Sequence, residues 1–346
     1  MPALPVALPT PRHPEPRTAP PIRWGVLAPG WIAALFTGTV HRNTASRVVA
    51  VGSRSAERAR QFAAEFSITR SYGSYEDLLG DGEVDAVYVS SPHNLHHEHG
   101  LLALSAGKPV LVEKAFTQNA AQAAQLVETA RTQRLLLVEA MWTRFLPHVD
   151  VIRQLLADGA LGDVRVVMAD HGQYFDIGPE HRLLNPNLAG GALLDLGVYP
   201  ISFVSFVLGA PDRVVARGDM TATGVDAQVS AVLQTGAAHG LVSTTQLAKT
   251  PTTATISGTA ARIEIPGDFY QPQSITVISR DGDVRTADAG PLTGHEGLAY
   301  QAAHFATLLA GGRTESPLLP LDESLAVIRT IDEIRRQIGL VYPNER

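Results

Sequence analysis

The chain has no cysteine among its 346 residues. Disulfides, thiolate nucleophiles, iron–sulfur clusters and Cys-ligated zinc are therefore excluded. A basic excess is missing too: 28 Lys and Arg stand against 34 Asp and Glu, for a formal net charge of −6. With no basic patch in view, nucleic acid is not an expected partner. No unbroken apolar run approaches the roughly 18 residues of a spanning helix, so no membrane span is expected. A secretory signal is lacking as well, because no Lys or Arg precedes Arg12 and Pro5, Pro9 and Pro11 break the apolar start. The expected location is the cytoplasm.

What is present is an ordinary globular balance, 45% apolar and 18% charged. At roughly 150 residues per domain, the length implies about two domains. Residues 1–21 carry eight prolines. Proline removes backbone donors and fixes φ, so this segment is expected to be a flexible arm. From Ile22 the pattern changes. Apolar strands at 22–27, 47–53, 84–91, 109–115 and 135–140 alternate with helical spacing at 31–41, 56–66, 95–106 and 120–133. That alternation predicts an α/β domain over 22–142, built on a parallel sheet covered on both faces. Over 143–346 strands dominate, at 165–175, 213–220, 227–235, 239–247, 253–259, 261–267 and 274–280. Turns at Thr235-Gly236 and Asp281-Gly282 predict hairpins, hence an α+β domain with a mostly antiparallel sheet. Helices near 296–311 and 322–338 close the chain.

The first strand–turn–helix reads Ala28-Pro29-Gly30-Trp31-Ile32-Ala33. It approximates the G-x-G-x-x-G/A turn that sets pyrophosphate on a helix N-terminus, with Ala28 replacing the first glycine. Gly30, Trp31 and Ile32 are the expected phosphate contacts. The second strand ends at Ser53-Arg54, where an NAD enzyme would place an acid to hold the ribose. A hydroxyl and a guanidinium suit a 2′-phosphate instead, which points to NADP, with NAD still possible. Arg58, one helical turn on, can assist.

Ser91-Pro92-His93-Asn94-Leu95-His96-His97-Glu98-His99 follows a third strand. Its place on the ligand edge predicts that Ser91, Pro92 and His96 meet cofactor and His93 meets substrate. A metal is the lesser alternative, and none is expected. Glu113-Lys114 ends another strand on the same edge, and both are expected cofactor contacts. Lys114 can orient a hydroxyl and lower a neighbouring acid's pKa, or it can form a plain surface ion pair. In GGALLDLGVYP, Asp195 and Tyr199 stand four apart, which on a helix places them on one face, and Pro200 should kink or split that helix. Such a polar stripe in an apolar element either bonds itself or serves as acid–base groups in a cleft.

Together, WGVLAPGWIA, SSPHNLHHEHGLLALSAGKPVLVEKAFTQNAAQA, EAMWTRFLP, GGALLDLGVYP and GTAARIEIPGDF resemble the glucose–fructose oxidoreductase / inositol dehydrogenase / MocA family over residues 22–340. EAMWTRFLP and DLGVYP are similar to the branch holding dimeric dihydrodiol dehydrogenase and NADP-dependent D-xylose dehydrogenase. The resemblance implies a Rossmann domain, then an open-faced sheet that serves substrate binding and dimerisation. It implies hydride transfer at nicotinamide C4, with a sugar, anhydrosugar or cyclic diol as the partner. By the same resemblance Tyr199 is the acid–base residue, Lys114 lowers its pKa and holds the hydroxyl, and Asp195 positions the pair. Glu113-Lys114-Ala115 departs from the family's Glu-Lys-Pro. Trp142 would line the substrate pocket, with Arg144, His93, Phe175, Arg182 and Asn187 as further lining candidates. Two other readings stay open: an NAD-retaining glycoside hydrolase of the same family, and a non-catalytic NADP sensor.

Overall fold

The structure is a computed structural model that describes residues 7–13 and 15–345. Residues 1–6 and 14 of the expected arm, and residue 346, lie outside the described residues. The order is β1 (Arg23–Leu27), α1 (Trp31–Asn43), β2 (Arg47–Gly52), α2 (Ala56–Glu65), β3 (Arg70–Tyr72), α3 (Tyr75–Leu79), β4 (Ala86–Val89), α4 (His96–Ser105), β5 (Val110–Val112), α5 (Ala120–Gln133) and β6 (Leu137–Glu139). These strands form one sheet in the order β3-β2-β1-β4-β5-β6, with every pairing parallel. Every residue of β4, β5 and β6 is buried, as in a sheet covered on both faces. The strand order reverses between β1 and β4. The crevice beyond their C-terminal ends is where such sheets bind ligand.

The chain continues through α6 (Pro147–Ala157), β7 (Val164–Gly172), α7 (Val198–Leu208), β8 (Arg213–Met220), β9 (Asp226–Thr235), β10 (Ala238–Thr245), β11 (Ala254–Gly258), β12 (Ala261–Ile265), β13 (Ile275–Ser279), β14 (Val284–Ala287), α8 (Leu298–Ala310) and α9 (Leu321–Ile338). The second sheet runs β14-β13-β12-β11-β7-β10-β9-β8, antiparallel except between β7 and β10. One face packs α7, so closely that a Cβ on Gly240 would stand 2.3 Å from Val204. Along β9 burial alternates, and the other face exposes Met168, Val215, Val232 and Leu241. Both expected fold classes are present.

The chain divides into two compact units, Pro14–Phe145 with Gly294–Ser324, and Met1–His13 with Leu146–Thr293 and Leu325–Arg346. This departs from a second domain running unbroken over 143–346. The stretch 294–324 joins the nucleotide unit because Phe305 of α8 packs on Trp24 of β1, ring centroids 4.8 Å apart. The arm departs from expectation as well. Arg12 pairs with Asp150 of α6 at 2.8 Å, and Gln154 Nε2 donates to the Thr10 carbonyl at 2.9 Å. Burial acts upward on Asp150, but the bonds from Arg12 win and hold its carboxyl at about 2. By length and composition Pro186–Leu208 could cross a membrane, which contiguous apolar counting did not show. Most of it is buried inside the protein, as a core helix is.

Candidate active site

The turn after β1 begins at Ala28, whose φ is +71°. That conformation costs an L-residue about 1–2 kcal/mol, which explains why a glycine is usual there. Gly30 then caps α1, and nothing lies within 4 Å of where its Cβ would stand. No side chain caps α1 and no acid stands in its first turn. The backbone N–H groups of exposed Trp31 and half-buried Ile32 therefore open the helix without intrahelical acceptors.

At the end of β2, Ser53 is buried and its Oγ accepts from Ser55 N at 3.2 Å. Arg54 and Arg58 are exposed. The nearby acid, Glu57, is taken by Arg60 at 2.6 Å. Burial raises the Tyr75 phenol above its usual range, and the charge of the nearby Arg54 guanidinium acts against it. The Tyr75 ring meets His99 edge-on at 4.7 Å, and burial pulls His99 down to about 4.

The histidine run separates. His96, expected to touch cofactor, is fully buried, with Nδ1 2.8 Å from the Ala115 carbonyl and Nε2 2.8 Å from the Ser91 carbonyl. Its ring is thus spent bracing two strand-end loops rather than facing a ligand. Burial lowers it to about 4, so one of those contacts lacks a proton. His93 is buried with its ring 5.5 Å from that of His96, and His97 bonds Gln125. Among the described residues no group of three or more His, Asp or Glu could hold a metal. Ser91 Oγ, by contrast, is buried at the end of β4 without a partner, and Pro92 beside it is half-buried.

Glu113 is buried and receives the Tyr88 hydroxyl and, at 3.2 Å, the Lys114 N–H. Lys114 is half-buried at the same edge, and the Lys114–Ala115 peptide is cis. Glu139, at the end of β6, was not anticipated. Burial pushes its carboxyl up to about 7, against a hydrogen bond from Phe116 N at 3.2 Å. Between pH ~4.3 and ~7 the folded chain then keeps a proton that the unfolded chain has lost. Stability contributed by this group should therefore be full below that window and fall through it by up to about 4 kcal/mol. Glu139→Gln is expected to remove that slope. Denaturant midpoints for both proteins across the window check this, and parallel slopes would refute it.

Arg144, expected to line the substrate pocket, is buried. It is held by Glu323 at 2.6 and 3.1 Å and by the Leu318 carbonyl at 3.3 Å. A guanidinium so satisfied is structural. Trp142 is buried and stacks on His295, centroids 5.7 Å apart and planes 12° apart. Trp31, 67% exposed, meets the same imidazole edge-on at 5.3 Å. His295 ties the start of α1 to Trp142, yet its place in a short turn far downstream carries no local signal.

The other residues belong to the second unit. A π-helical turn, Leu193–Gly197, holds Asp195 and leads into α7 with Tyr199. The chain is helical without a break from 192 to 208, and the expected split at Pro200 takes the form of the π-helical turn just before it. Asp195 is bonded by Arg182 at 3.2 and 3.3 Å. The buried Tyr199 ring lies 5.2 Å from His171 and 5.0 Å from Tyr270. Those two stack at 4.5 Å, forming an aromatic wall that the sequence reading missed. Phe175 is half-buried, and Asn187 is exposed with its N–H bonded to Asn185 at 2.9 Å.

Strand order, small-residue turn and helix N-terminus together define a dinucleotide-binding enzyme. Residues 22–140 match the family model described as oxidoreductase family, NAD-binding Rossmann fold, and residues 149–264 match the GFO/IDH/MocA C-terminal domain. The chain belongs to the GFO/IDH/MocA oxidoreductase family. It is 36% identical over 337 residues to trans-1,2-dihydrobenzene-1,2-diol dehydrogenase of Bos taurus, covering 94% of this chain and 99% of that one. It is 38% identical to D-xylose 1-dehydrogenase (NADP(+)) of Hypocrea jecorina, covering 93% of each. A 3-ketoreductase from Actinomadura kijaniata, solved in complex with NADP and TDP-benzene, matches with TM-score 0.79 at 28% identity, over 92% of this chain and 98% of that one. The residues present fit a phosphorylated dinucleotide. The space beside Gly30 is open, Ser91 Oγ lacks a partner, and the end of β2 offers hydroxyl and guanidinium in place of carboxylate.

Proposed function

We propose that the protein is an NADP-dependent dehydrogenase or reductase that interconverts a carbinol and a carbonyl on a sugar, anhydrosugar or cyclic diol. The observation that carries this reading is the end of β2, where Ser53 and Arg54 occupy the place of a ribose-binding acid. When bound, NADP supplies the hydride acceptor at nicotinamide C4. Gly30, Trp31 and Ile32 would hold its pyrophosphate, Arg54 and Arg58 its 2′-phosphate, and Ser91 a ribose hydroxyl. As phenolate, Tyr199 takes the substrate's hydroxyl proton at its phenol oxygen, and it returns that proton in the reverse direction. The family resemblance gives Lys114 the part of holding the substrate hydroxyl and favouring the phenolate by its charge. Arg182 holds Asp195, which sets the helix that presents Tyr199, while His171 and Tyr270 limit water around the phenol.

The exposed Met168, Val215, Val232 and Leu241 support a second copy of the chain covering the open sheet face. The experiment mixes purified protein with NADP and either trans-1,2-dihydrobenzene-1,2-diol or D-xylose. One NADPH per oxidised product is expected, and sedimentation of the same sample should give a dimer mass. Release of the leaving alcohol from an aryl glycoside without net NADPH would favour the cofactor-retaining hydrolase. NADPH binding without turnover on any sugar or diol would favour the sensor.

A further inference from the structure

Asp226 is a buried acid that the mechanism does not use. It opens β9 and is fully buried; it is in no ion pair among the described residues, and Arg335 acts on it only through space. Its Oδ2 accepts the Leu193 N–H at 2.6 Å. Leu193 is the first residue of the π-helical turn that carries Asp195, and its N–H needs an acceptor from outside that turn. The other oxygen, Oδ1, has no hydrogen-bond partner and lies against Gly191, where a Cβ would stand 2.0 Å away. Gly191 has φ +115°, so glycine is required there twice over, by backbone conformation and by the carboxylate.

The same turn is held by a second contact. The fully buried Tyr342 donates its hydroxyl to the Gly190 carbonyl at 2.7 Å. Arg335 lies over the Tyr342 ring at 4.6 Å and pairs with Asp332 and Glu345. Gly190 and Gly191 in turn bond back to the Asn185 and Leu183 carbonyls, at 3.1 and 2.8 Å. A Cβ on Gly190 would stand 2.7 Å from the Arg182 carbonyl. The turn therefore links both ends of the Arg182–Asp195 ion pair. A shift of the turn moves the arginine and the aspartate together, and the first turn of α7 with them.

We propose that Asp226, with Tyr342 behind it, is a positioning residue that clamps the Gly190–Leu193 turn and so sets Asp195 and Tyr199. This rests on the acid–base role given to Tyr199. A buried carboxyl is costly, and a backbone N–H alone is a meagre return for stability. Its value is geometric, since loss of alignment at a reacting group costs rate steeply. Burial also raises this carboxyl, to about 6, despite the Leu193 N–H. The Leu193 N–H needs only an acceptor oxygen, which an asparagine amide also offers, so asparagine should serve nearly as well as aspartate.

The test compares Asp226→Ala, Asp226→Asn, Tyr342→Phe and Tyr199→Phe as full-length proteins. The first readout is amide exchange in the segment 192–199, which needs no substrate. Asp226→Ala should speed exchange there at least tenfold while the β1–β6 sheet stays unchanged. The second readout is NADP-linked oxidation of D-xylose or trans-1,2-dihydrobenzene-1,2-diol. In Asp226→Ala, kcat should fall about 10- to 100-fold and the alkaline limb of the pH profile should move. NADPH affinity should stay within twofold, and Asp226→Asn should restore kcat to within about threefold. Tyr342→Phe should act in the same direction more weakly, and it stands in if Asp226→Ala does not fold. Wild-type exchange over 192–199 in both variants overturns the proposal. So does an unchanged kcat and pH profile where Tyr199→Phe is inactive. An active Tyr199→Phe would instead overturn the role of Tyr199 and leave the exchange result standing.

Discussion

Tyr199→Phe is expected to lose turnover by about 10²- to 10⁴-fold while binding NADPH as the wild type does. The substitution deletes one oxygen and keeps the ring. The packing of that ring on His171 at 5.2 Å and on Tyr270 at 5.0 Å is retained, so the fold should be undisturbed. What is lost is the only step assigned to the side chain, transfer of the hydroxyl proton as hydride leaves. A phenol ionises near pH ~10 in water, so this chemistry near neutrality requires a cation at the reacting hydroxyl, the part given to Lys114. Phenylalanine abolishes both the proton acceptor and the limb of the pH profile that reports it. The check is kcat against pH together with nicotinamide fluorescence for binding. A variant that keeps its rate within tenfold, with the wild-type pH profile, would move the acid–base role elsewhere. A variant that loses NADPH binding as well would show that the residue supports the fold.

The parallel sheet was legible because its strands are buried on both faces. Runs such as AVYV and VLV carry no polar residue to blur them, and each is followed by a helix with a clear stop. The antiparallel sheet was legible because β9 alternates buried and exposed residues and its turn carries Gly236 at positive φ. β3, α3 and α6 were not read. Arg70–Tyr72 is three half-buried residues, too short for any period to show, and α3 has only five. In α6 the apolar positions merge with the preceding EAMWTRFLP, which hides where the helix begins.

The site divided along a different line. Residue type and strand end were enough to pick out Gly30, Ser53, Arg54, Ser91 and Lys114, because a strand's C-terminal edge is a local property. Direction was not legible. His96 and Arg144 have the chemistry of ligand contacts, but partners distant in sequence absorb them: the Ala115 carbonyl in one case, Glu323 in the other. The return of 294–324 to the nucleotide unit was equally hidden, since an apolar helix such as α8 fits any core. His295 followed from that return and could be found only with it.

The same distinction between type and direction bears on Arg54→Ala. This change is expected to weaken NADPH about 10- to 100-fold and NADH hardly at all. A guanidinium on phosphate makes charge-assisted bonds worth roughly 1.5–3 kcal/mol, and each 1.4 kcal/mol is tenfold. Arg54 is exposed and lies near the uncharged Tyr75 phenol, so no carboxylate holds it away from a phosphate. The neighbouring Arg60 is already paired with Glu57 and is not available to compensate. Arg58 is available, and its presence sets the lower end of the range. NADH lacks the 2′-phosphate, so its affinity is the internal control for any general damage to the turn. Salt gives a second discriminator: the wild-type preference for NADPH should shrink as ionic strength rises, and that of Arg54→Ala should shrink less. Equal loss of both nucleotides would mean that Arg54 supports the β2–α2 turn. No loss of either would place the 2′-phosphate elsewhere, and with it the basis for preferring NADP.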